Sequence, residues 1–331
     1  MSVVDKKTVE QLKKTSAYPY EVKGVDYVET HISQIFLAGE YVYKVKKDVK
    51  FSFLDFSTLA KRKEHCKNEL ELNRRLCRNM YLEVVPITKK GQKYQFEGEG
   101  DLIDYAVKMR RMPAERRMDL LLENNEVSEA DIDNIAIKVA KFHNSVKIID
   151  DKLYGSPELI REQVDDLKNH KKTIQTACKM GSKVDFALSK CSKFYTRNYS
   201  FFKKRQENGM IRNCHGDLHS ANIFLTDKIY IFDCIEFNED FRYIDVASEI
   251  AFMAMDLDAF GKEELSQKFI RRYTAFTKDR VGLILLNYYK CYRANVRAKI
   301  AAIEYSQKAN KSSKERIIKY CNLMEKYAKR L

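Results

Sequence analysis

The chain has 331 residues, enough for one large two-lobed domain or two small ones, and its 44% hydrophobic content can build a real core. Charged residues reach 33%, and no run approaches the roughly 18 apolar residues that cross a bilayer, so a helical membrane protein is excluded. The net charge of +14 is open to three readings: a nucleic-acid partner, an anionic substrate or a lysine-rich proteome. The basic residues are dispersed and no recognisable nucleic-acid-binding motif accompanies them, so nucleic acid is not the expected partner.

The start, Met1-Ser2-Val3-Val4-Asp5-Lys6-Lys7, lacks the apolar stretch of a secretory signal. Eight cysteines are scattered without a Cys-x-x-Cys pair, the pattern of reduced thiols in the cytoplasm and not of a disulfide framework or zinc site. With 4 prolines, 11 glycines, no internal repeat and no low-complexity linker, the chain is expected to fold compactly. Its oligomeric state is left open.

Along the chain, residues up to about 112 read as strand-rich around a single long helix. Val25–Glu29, 34–37 and Tyr41–Lys46 are successive strands, the last two joined at Ala38-Gly39-Glu40. Ser57 can cap a helix running through Leu59, Cys66, Leu70, Asn73 and Leu76. After Pro86 come two further strands, Lys93–Phe96 and 105–109, and a short segment ends at Pro113. Beyond it the chain reads as helical: Ser128 with Asp131 starts a helix carrying Ile132, Ile135, Val139 and Phe142 on one face, and further helices are predicted over 157–178, 184–207, 244–258, 262–277, 280–307 and 312–329.

The segment His215-Gly216-Asp217-Leu218-His219-Ser220-Ala221-Asn222, followed by Ile229-Tyr230-Ile231-Phe232-Asp233, carries the chemistry. The runs 223–226 and 229–232 are short and β-prone, with Asp227-Lys228 between them as a two-residue turn. That register faces Thr226 with Ile229 and Asn222 with Asp233, placing an amide oxygen and a carboxylate together just after Asp217. Hard oxygen ligands of this kind suit Mg²⁺, which prefers a few protein oxygens together with substrate phosphates. Four residues separate Asp217 from Asn222, the spacing found in kinase catalytic loops.

These residues resemble the signature of the aminoglycoside phosphotransferase and choline kinase families. More narrowly, Glu29-Thr30-His31-Ile32-Ser33, Phe53-Leu54-Asp55-Phe56-Ser57 and Phe232-Asp233-Cys234-Ile235-Glu236-Phe237-Asn238 are similar to a bacterial and archaeal group known as aminoglycoside phosphotransferase family enzymes. The likeness runs from about Tyr20 to the C-terminal helices. It implies an α+β, bilobal protein-kinase-like fold, with a strand-rich, nucleotide-binding N-lobe over residues 1–112 and a mainly helical C-lobe over 113–331 that carries the catalytic hairpin and the acceptor site. Some relatives add a P-loop kinase domain; no Gly-x-x-x-x-Gly-Lys-Ser/Thr occurs here, so that half is expected to be absent.

The activity implied is transfer of the γ-phosphoryl group of ATP, with Mg²⁺, to a hydroxyl of a small molecule such as a sugar, an amino alcohol or an aminoglycoside-like metabolite. In that reading Asp217 is the catalytic base, Asn222 and Asp233 hold the metal, and Lys44 contacts the α- and β-phosphates with Glu69 as its helix partner. Lys46 has the same strand parity as Lys44 and is the alternative. No Gly-x-Gly-x-x-Gly is present, so the turn with Thr30 and Ser33 would meet the phosphates, and main-chain atoms of Met109, Arg110 and Met112 would meet adenine. His215 and Asp245 would support the catalytic loop, Asp245 by holding its backbone amides.

Asp245 comes twelve residues after Asp233, which leaves no room for the activation segment of a protein serine/threonine kinase and favours a small-molecule acceptor. A non-catalytic nucleotide-binding scaffold, or a nucleic-acid-associated protein, is the reading from a different class. Lys290, Arg293 and Arg297 fall at i, i+3 and i+7 on one helix, either as a basic stripe for an anionic acceptor or as a solvated face. Pockets for polycationic drugs are acidic, and this chain is strongly basic, so a metabolite is the expected acceptor.

Overall fold

The computed structural model describes residues 4–51 and 54–331. Residues 1–3, within the start read for a secretory signal, and Phe53 of the Phe53-to-Ser57 motif lie outside the described residues. The chain divides into two compact units: one takes the residues up to Arg117 together with Asn222–Glu239, the other Met118–Ala221 together with Asp240–Leu331.

The first unit opens with helix α1 (Lys6–Leu12), capped by Asp5, whose carboxylate accepts from the Thr8 amide at 2.8 Å. Strands β1 (Val25–Glu29), β2 (Ser33–Ala38) and β3 (Tyr41–Lys46) follow. A short ribbon, β4 (Lys50–Phe51) with β5 (Leu54–Asp55), precedes helix α2 (Leu59–Cys77). Thr58, not Ser57, caps α2, accepting from the Lys61 amide; Ser57 bonds Asp55 instead.

Then come β6 (Tyr81–Lys90), β7 (Lys93–Phe96) and β8 (Asp101–Arg110), completing a six-stranded antiparallel sheet in the order β1-β2-β3-β8-β6-β7. Strand β6, not among the strands expected from the sequence, runs through Pro86. The proline sits one residue beyond the last β6–β7 pair, Ile87 with Phe96, so its missing N–H interrupts no ladder bond and its carbonyl still accepts from Glu97.

Alternation divides the sheet residues between two faces. Tyr43, Val45, Phe36, Val85, Ile87 and Phe96 pack with Leu12 and Tyr18, and the Tyr43 and Phe96 rings stack at 4.4 Å. Val42, Val107 and Met109 pack on the other face with Cys66 of α2. Each fully buried ring on these faces contributes about 1.5–3 kcal/mol. The buried side of α2 is unusually polar: Arg62, Glu69 and Asn73 share it with Cys66, Leu76 and Cys77. Arg62 is neutralised by Asp104 at 2.8 Å, and burial pushes the Asp104 carboxyl up to about 6 despite that arginine.

The second unit takes up the chain with α3 (Met118–Glu123), α4 (Glu129–Ser145), α5 (Pro157–Asp165), α6 (Lys171–Cys178), α7 (Gly181–Glu207) and the strand β9 (Ile211–Asn213). The capping box of Ser128 and Asp131 starts α4 as the sequence predicts. A single helix over 157–178 is not formed; a 3-10 turn over Asp166–His170 divides it into α5 and α6.

The hairpin β10 (Ile223–Leu225) with β11 (Ile229–Ile231) belongs to the first unit. The second resumes with β12 (Tyr243–Asp245), paired to β9, then α8 (Val246–Ala259), α9 (Glu263–Thr277), α10 (Arg280–Gln307) and α11 (Lys311–Ala328). Its core is built mainly from α5, α7, α8, α10 and α11. Among the described residues no helix is long and apolar enough to cross a membrane.

Candidate active site

The hairpin register differs by one residue from the sequence expectation. Leu225 pairs with Ile229, leaving the three residues Thr226-Asp227-Lys228 as the loop. A two-residue hairpin turn of the favoured type needs positive φ, and none of these three adopts it. The Thr226 hydroxyl organises the longer loop, bonding the Asp227 carboxylate and the Lys228 carbonyl, each at 3.0 Å. Asn222 therefore stands opposite Phe232, whose amide donates to the Asn222 carbonyl at 3.0 Å, and not opposite Asp233.

Asp233 is the first residue past that pair and takes a left-handed backbone, φ 61°. Aspartate tolerates this region better than most side chains. The exit is pinned from α2 and β6: the Asp233 amide donates to Tyr81 Oη at 3.3 Å and the Cys234 amide to Asn73 Oδ1 at 2.9 Å. Neither Tyr81 nor Asn73 stands out in the sequence, although an asparagine on the buried face of a helix needs a polar partner.

The carboxylate so placed meets Lys44. Lys44 Nζ lies 2.6 Å from Asp233 Oδ1 and 2.8 Å from Glu69 Oε1. Lys46, two residues on and on the same strand face, pairs with the other Glu69 oxygen at 2.8 Å and with Glu236. One glutamate thus serves two lysines. Burial opposes the Glu69 charge, but Lys44 and Lys46 outweigh it and hold the carboxyl at about 2. Glu71, two residues further along α2, is exposed. The lysines differ in access: 13% of the Lys44 side chain is exposed and 1% of Lys46. Burial pushes the Glu236 carboxyl up, against the pull of Lys46.

The remaining first-unit candidates are largely spoken for. Thr30 folds the β1–β2 turn on itself, its hydroxyl accepting from the Ser33 amide at 2.9 Å, and Ser33 is buried. Met109 is buried between Val42 and Tyr81, and the Arg110 amide already donates to the Met80 carbonyl at 2.8 Å. The Arg111 amide donates to the Glu40 carbonyl at 2.7 Å. Met112 is half-buried and borders a surface pocket with Gly39, Tyr41 and Pro113.

In the second unit the loop bearing Asp217 is held by α8. Glu249 accepts the His215 amide at 3.1 Å and the Gly216 amide at 2.6 Å, and is itself bound to His143 at 2.7 Å. These are the amides expected of Asp245. Asp245 instead caps α8 through the Ala247 amide, accepts from Nε and Nη2 along one edge of the Arg205 guanidinium at 2.6 Å each, and accepts from Tyr289 at 2.9 Å. A carboxylate closing that many bonds at the N-cap of a helix has none left for the loop. Asp256 accepts the Ser220 amide at 2.8 Å and its hydroxyl at 2.5 Å, and Phe252 packs on His219 with ring centroids 5.5 Å apart.

Residues 249, 252 and 256 fall at i, i+3 and i+7, one stripe of a helix whose residues from Val246 to Leu257 are all buried. Two acids inside so apolar a run, Val246-Ala247-Ser248-Glu249-Ile250-Ala251-Phe252-Met253-Ala254-Met255-Asp256-Leu257, were the available signal for this brace.

Asp217 emerges from the braced loop with 34% of its side chain exposed, Oδ2 lying 3.2 Å from His219 Nε2. His215 supports it, Nδ1 accepting from the Asp217 amide at 3.3 Å. Burial would raise the Asp217 carboxyl, but His219, Arg297 and His215 prevail and hold it below the usual aspartate range. The proposed basic stripe does not survive as a unit. Lys290 is buried against Asp258 at 2.5 Å, and Arg293 is buried with donors spent on the Ser248 and Gly216 carbonyls. Neither is a solvated helix face, and of the three only Arg297 keeps its guanidinium half-buried and away from a carboxylate.

A lysine–glutamate pair beneath an antiparallel sheet, followed in the chain by a mainly helical unit that carries the Asp217 loop, matches a protein-kinase-like fold. The chain belongs to the Phosphotransferase enzyme family, whose profile matches residues 40–284. An uncharacterized protein of Mycobacterium tuberculosis is 29% identical over 289 residues, covering 86% of this chain and 56% of its own length, and an uncharacterized protein of Mycobacterium bovis aligns equally. The chain thus spans little more than half the length of these curated relatives.

Among solved structures, an ethanolamine kinase of Plasmodium vivax superposes with a TM-score of 0.53 at 12% identity, over 92% of this chain and 83% of that one. A choline kinase from Cryptosporidium parvum Iowa II gives 0.53 at 11% identity, over 92% and 90%, and a choline/ethanolamine kinase family protein from Mesorhizobium loti gives 0.52 at 13%, over 96% and 95%. At these identities the likeness establishes the fold.

Proposed function

We propose that this chain transfers the γ-phosphoryl group of ATP to a hydroxyl of a small-molecule metabolite. The observation that carries the reading is Lys44 joined at once to Glu69 and Asp233, at 2.8 and 2.6 Å. A cation held by a buried helix carboxylate beside a hairpin aspartate is the arrangement that positions nucleotide phosphates in this fold. Lys44, the more accessible of the two lysines, is assigned to the α- and β-phosphates; Lys46 fixes Glu69 and Glu236 from below.

The donor set fits magnesium. Asp233 keeps 45% of its side chain exposed and has a second carboxylate oxygen beyond the one on Lys44, and Asn222 offers an amide oxygen of the same hard character. Bound there, the ion would neutralise phosphate charge as it shifts toward the leaving oxygen. Asp217 accepts a hydrogen bond from the acceptor hydroxyl and takes its proton late in transfer. The acceptor oxygen forms a bond to the γ-phosphorus, the bond from that phosphorus to the β–γ bridging oxygen breaks, and ADP leaves. Met112 is the hinge residue assigned to adenine, since the Arg110 and Arg111 amides are already bonded within the unit.

An aminoglycoside phosphotransferase solved with GDP and kanamycin has a TM-score of 0.50 with this chain at 10% identity, covering 97% of this chain and 98% of that one, which supports nucleotide use. We infer a cytoplasmic location from eight cysteines that are all free thiols. The test is transfer of label from γ-labelled ATP into a metabolite pool by the wild-type chain, with Asp217→Asn as control. A labelled product made by the wild type and not by the variant supports the assignment; equal labelling by both removes Asp217 from it.

A further inference from the structure

Helices α10 and α11 bring two cations to one aromatic side chain. Arg297 on α10 donates through Nε to Tyr320 Oη at 3.3 Å, and its guanidinium carbon lies 5.6 Å from the Tyr320 ring centroid. Lys319 on α11 has its Nζ 6.0 Å from the same centroid and 4.9 Å from that of Phe260. Both cations are half-buried, and Tyr320 between them is buried.

Other buried cations of this unit have carboxylate partners or spend their donors on carbonyl oxygens. Arg205 is shared by Asp245 and Asp279, Lys290 is held by Asp258, and Arg293 is spent on carbonyl oxygens. Among the described residues no carboxylate lies within ion-pair distance of Arg297 or Lys319. The acids whose fields reach them are Asp217 and Asp256, already engaged by His219 and Ser220, and Glu123, an exposed residue of α3 beyond ion-pair distance of Lys319. Burial pushes the Lys319 ammonium down in pKa, and the charge of Arg297 adds to that push. Two like charges held on a common platform, partly out of water, are relieved by an anion that can accept from both.

We propose that Arg297 and Lys319 receive an anionic group, phosphate or carboxylate, of the molecule whose hydroxyl Asp217 activates. This rests on the phosphotransfer reading above and names its acceptor class: a phosphorylated sugar, a sugar acid or a related hydroxylated anion. Arg297 belongs both to the cation pair and to the set of charges that keep Asp217 ionised, so the anion site and the base share one local field. The chemistry differs from that of a pocket for a quaternary ammonium or polyamine, which would line the site with acids and open aromatic faces.

The experiment uses the full chain and two matched pairs of compounds, ribose 5-phosphate with ribose and gluconate with glucitol. Calorimetry measures binding of each, and labelled ATP measures transfer to each. At least one anion is expected to bind about tenfold or more tighter than its neutral partner, with the two pairs distinguishing phosphate from carboxylate recognition. Lys319→Met and Arg297→Met should each abolish the preference, and Lys319→Arg should retain it.

Equal binding, or none, within both pairs overturns the proposal, as does a preference that survives in both methionine variants. Lys319→Met lies at a half-exposed position, and thermal melting checks that each variant is folded. Transfer to a neutral amino alcohol with none to either anion overturns the anion assignment and leaves phosphotransfer standing. An anion preference lost in the variants, with no ATP turnover on any compound, supports the anion site and overturns the phosphotransfer reading.

Discussion

Lys44 reaches the Asp233 carboxylate at 2.6 Å across 189 residues of sequence, while its other contact, Glu69, is divided with Lys46. The two lysines share a strand face but are expected to differ on substitution. Lys44→Met should weaken nucleotide binding by about tenfold or more, the scale of one charge-assisted hydrogen bond lost, as read by calorimetry with an ATP analogue. Lys46→Met strands Glu236 without its cation in a buried position and should cost about 3–5 kcal/mol in urea unfolding. Equal effects of both variants on nucleotide affinity would contradict this division of labour.

Asp217→Asn keeps the side chain's size and removes its basicity. Turnover should fall by about 10²–10⁴-fold, the range associated with a positioned base, while nucleotide affinity stays within a few-fold. Single-turnover transfer at saturating ATP separates the two quantities.

His219→Asn tests how Asp217 is kept ionised. With His219 and Arg297 beside it, the Asp217 carboxyl is held below its ordinary range against the effect of burial. Removing the imidazole removes part of that hold, so the carboxyl pKa rises and a proton binds at higher pH. The acid limb of the kcat/KM profile should therefore move toward higher pH in the variant. An unmoved limb with reduced kcat would make the role of His219 steric.

Acid stability follows from Glu69 and Glu249. Burial opposes ionisation of both; the lysines for Glu69, and His143 with the loop for Glu249, overcome it and place each carboxyl at about 2, from an ordinary 4.5. On falling pH the unfolded chain binds these protons first. The stability they contribute is full above pH 4.5 and is lost progressively from there down toward about 2. Glu249→Gln should remove on the order of 3 kcal/mol at neutral pH and flatten this part of the pH dependence in denaturant titrations. A variant curve parallel to the wild type through that window would show that the Glu249 carboxyl is not held below its ordinary range by folding.

Much of this was legible in residue order. Alternation in Tyr41-Val42-Tyr43-Lys44-Val45-Lys46 placed both lysines on one face. What failed depended on tertiary context. The hairpin register turned on whether Asp227-Lys228 could adopt positive φ, which the flanking hydrophobic pattern does not report. Strand β6 was not among the expected strands, since the edge of the β6–β7 ladder that accommodates Pro86 is invisible in one strand's sequence. Asp245 was given the loop amides by its resemblance to the aspartate that braces the loop in similar enzymes. The choice between Asp245 and Glu249 was decided by Arg205, forty residues upstream, which claims Asp245 for itself.

The stripe of Glu249, Phe252 and Asp256 has an evolutionary corollary. Each α-helical residue advances about 100° around the axis, so inserting or deleting one position between 249 and 256 would swing Asp256 away from Ser220 while Glu249 still gripped Gly216. The two ends of the Asp217 loop would then be out of phase. Divergence in this stretch can proceed by exchange of side chains, but its residue count is frozen.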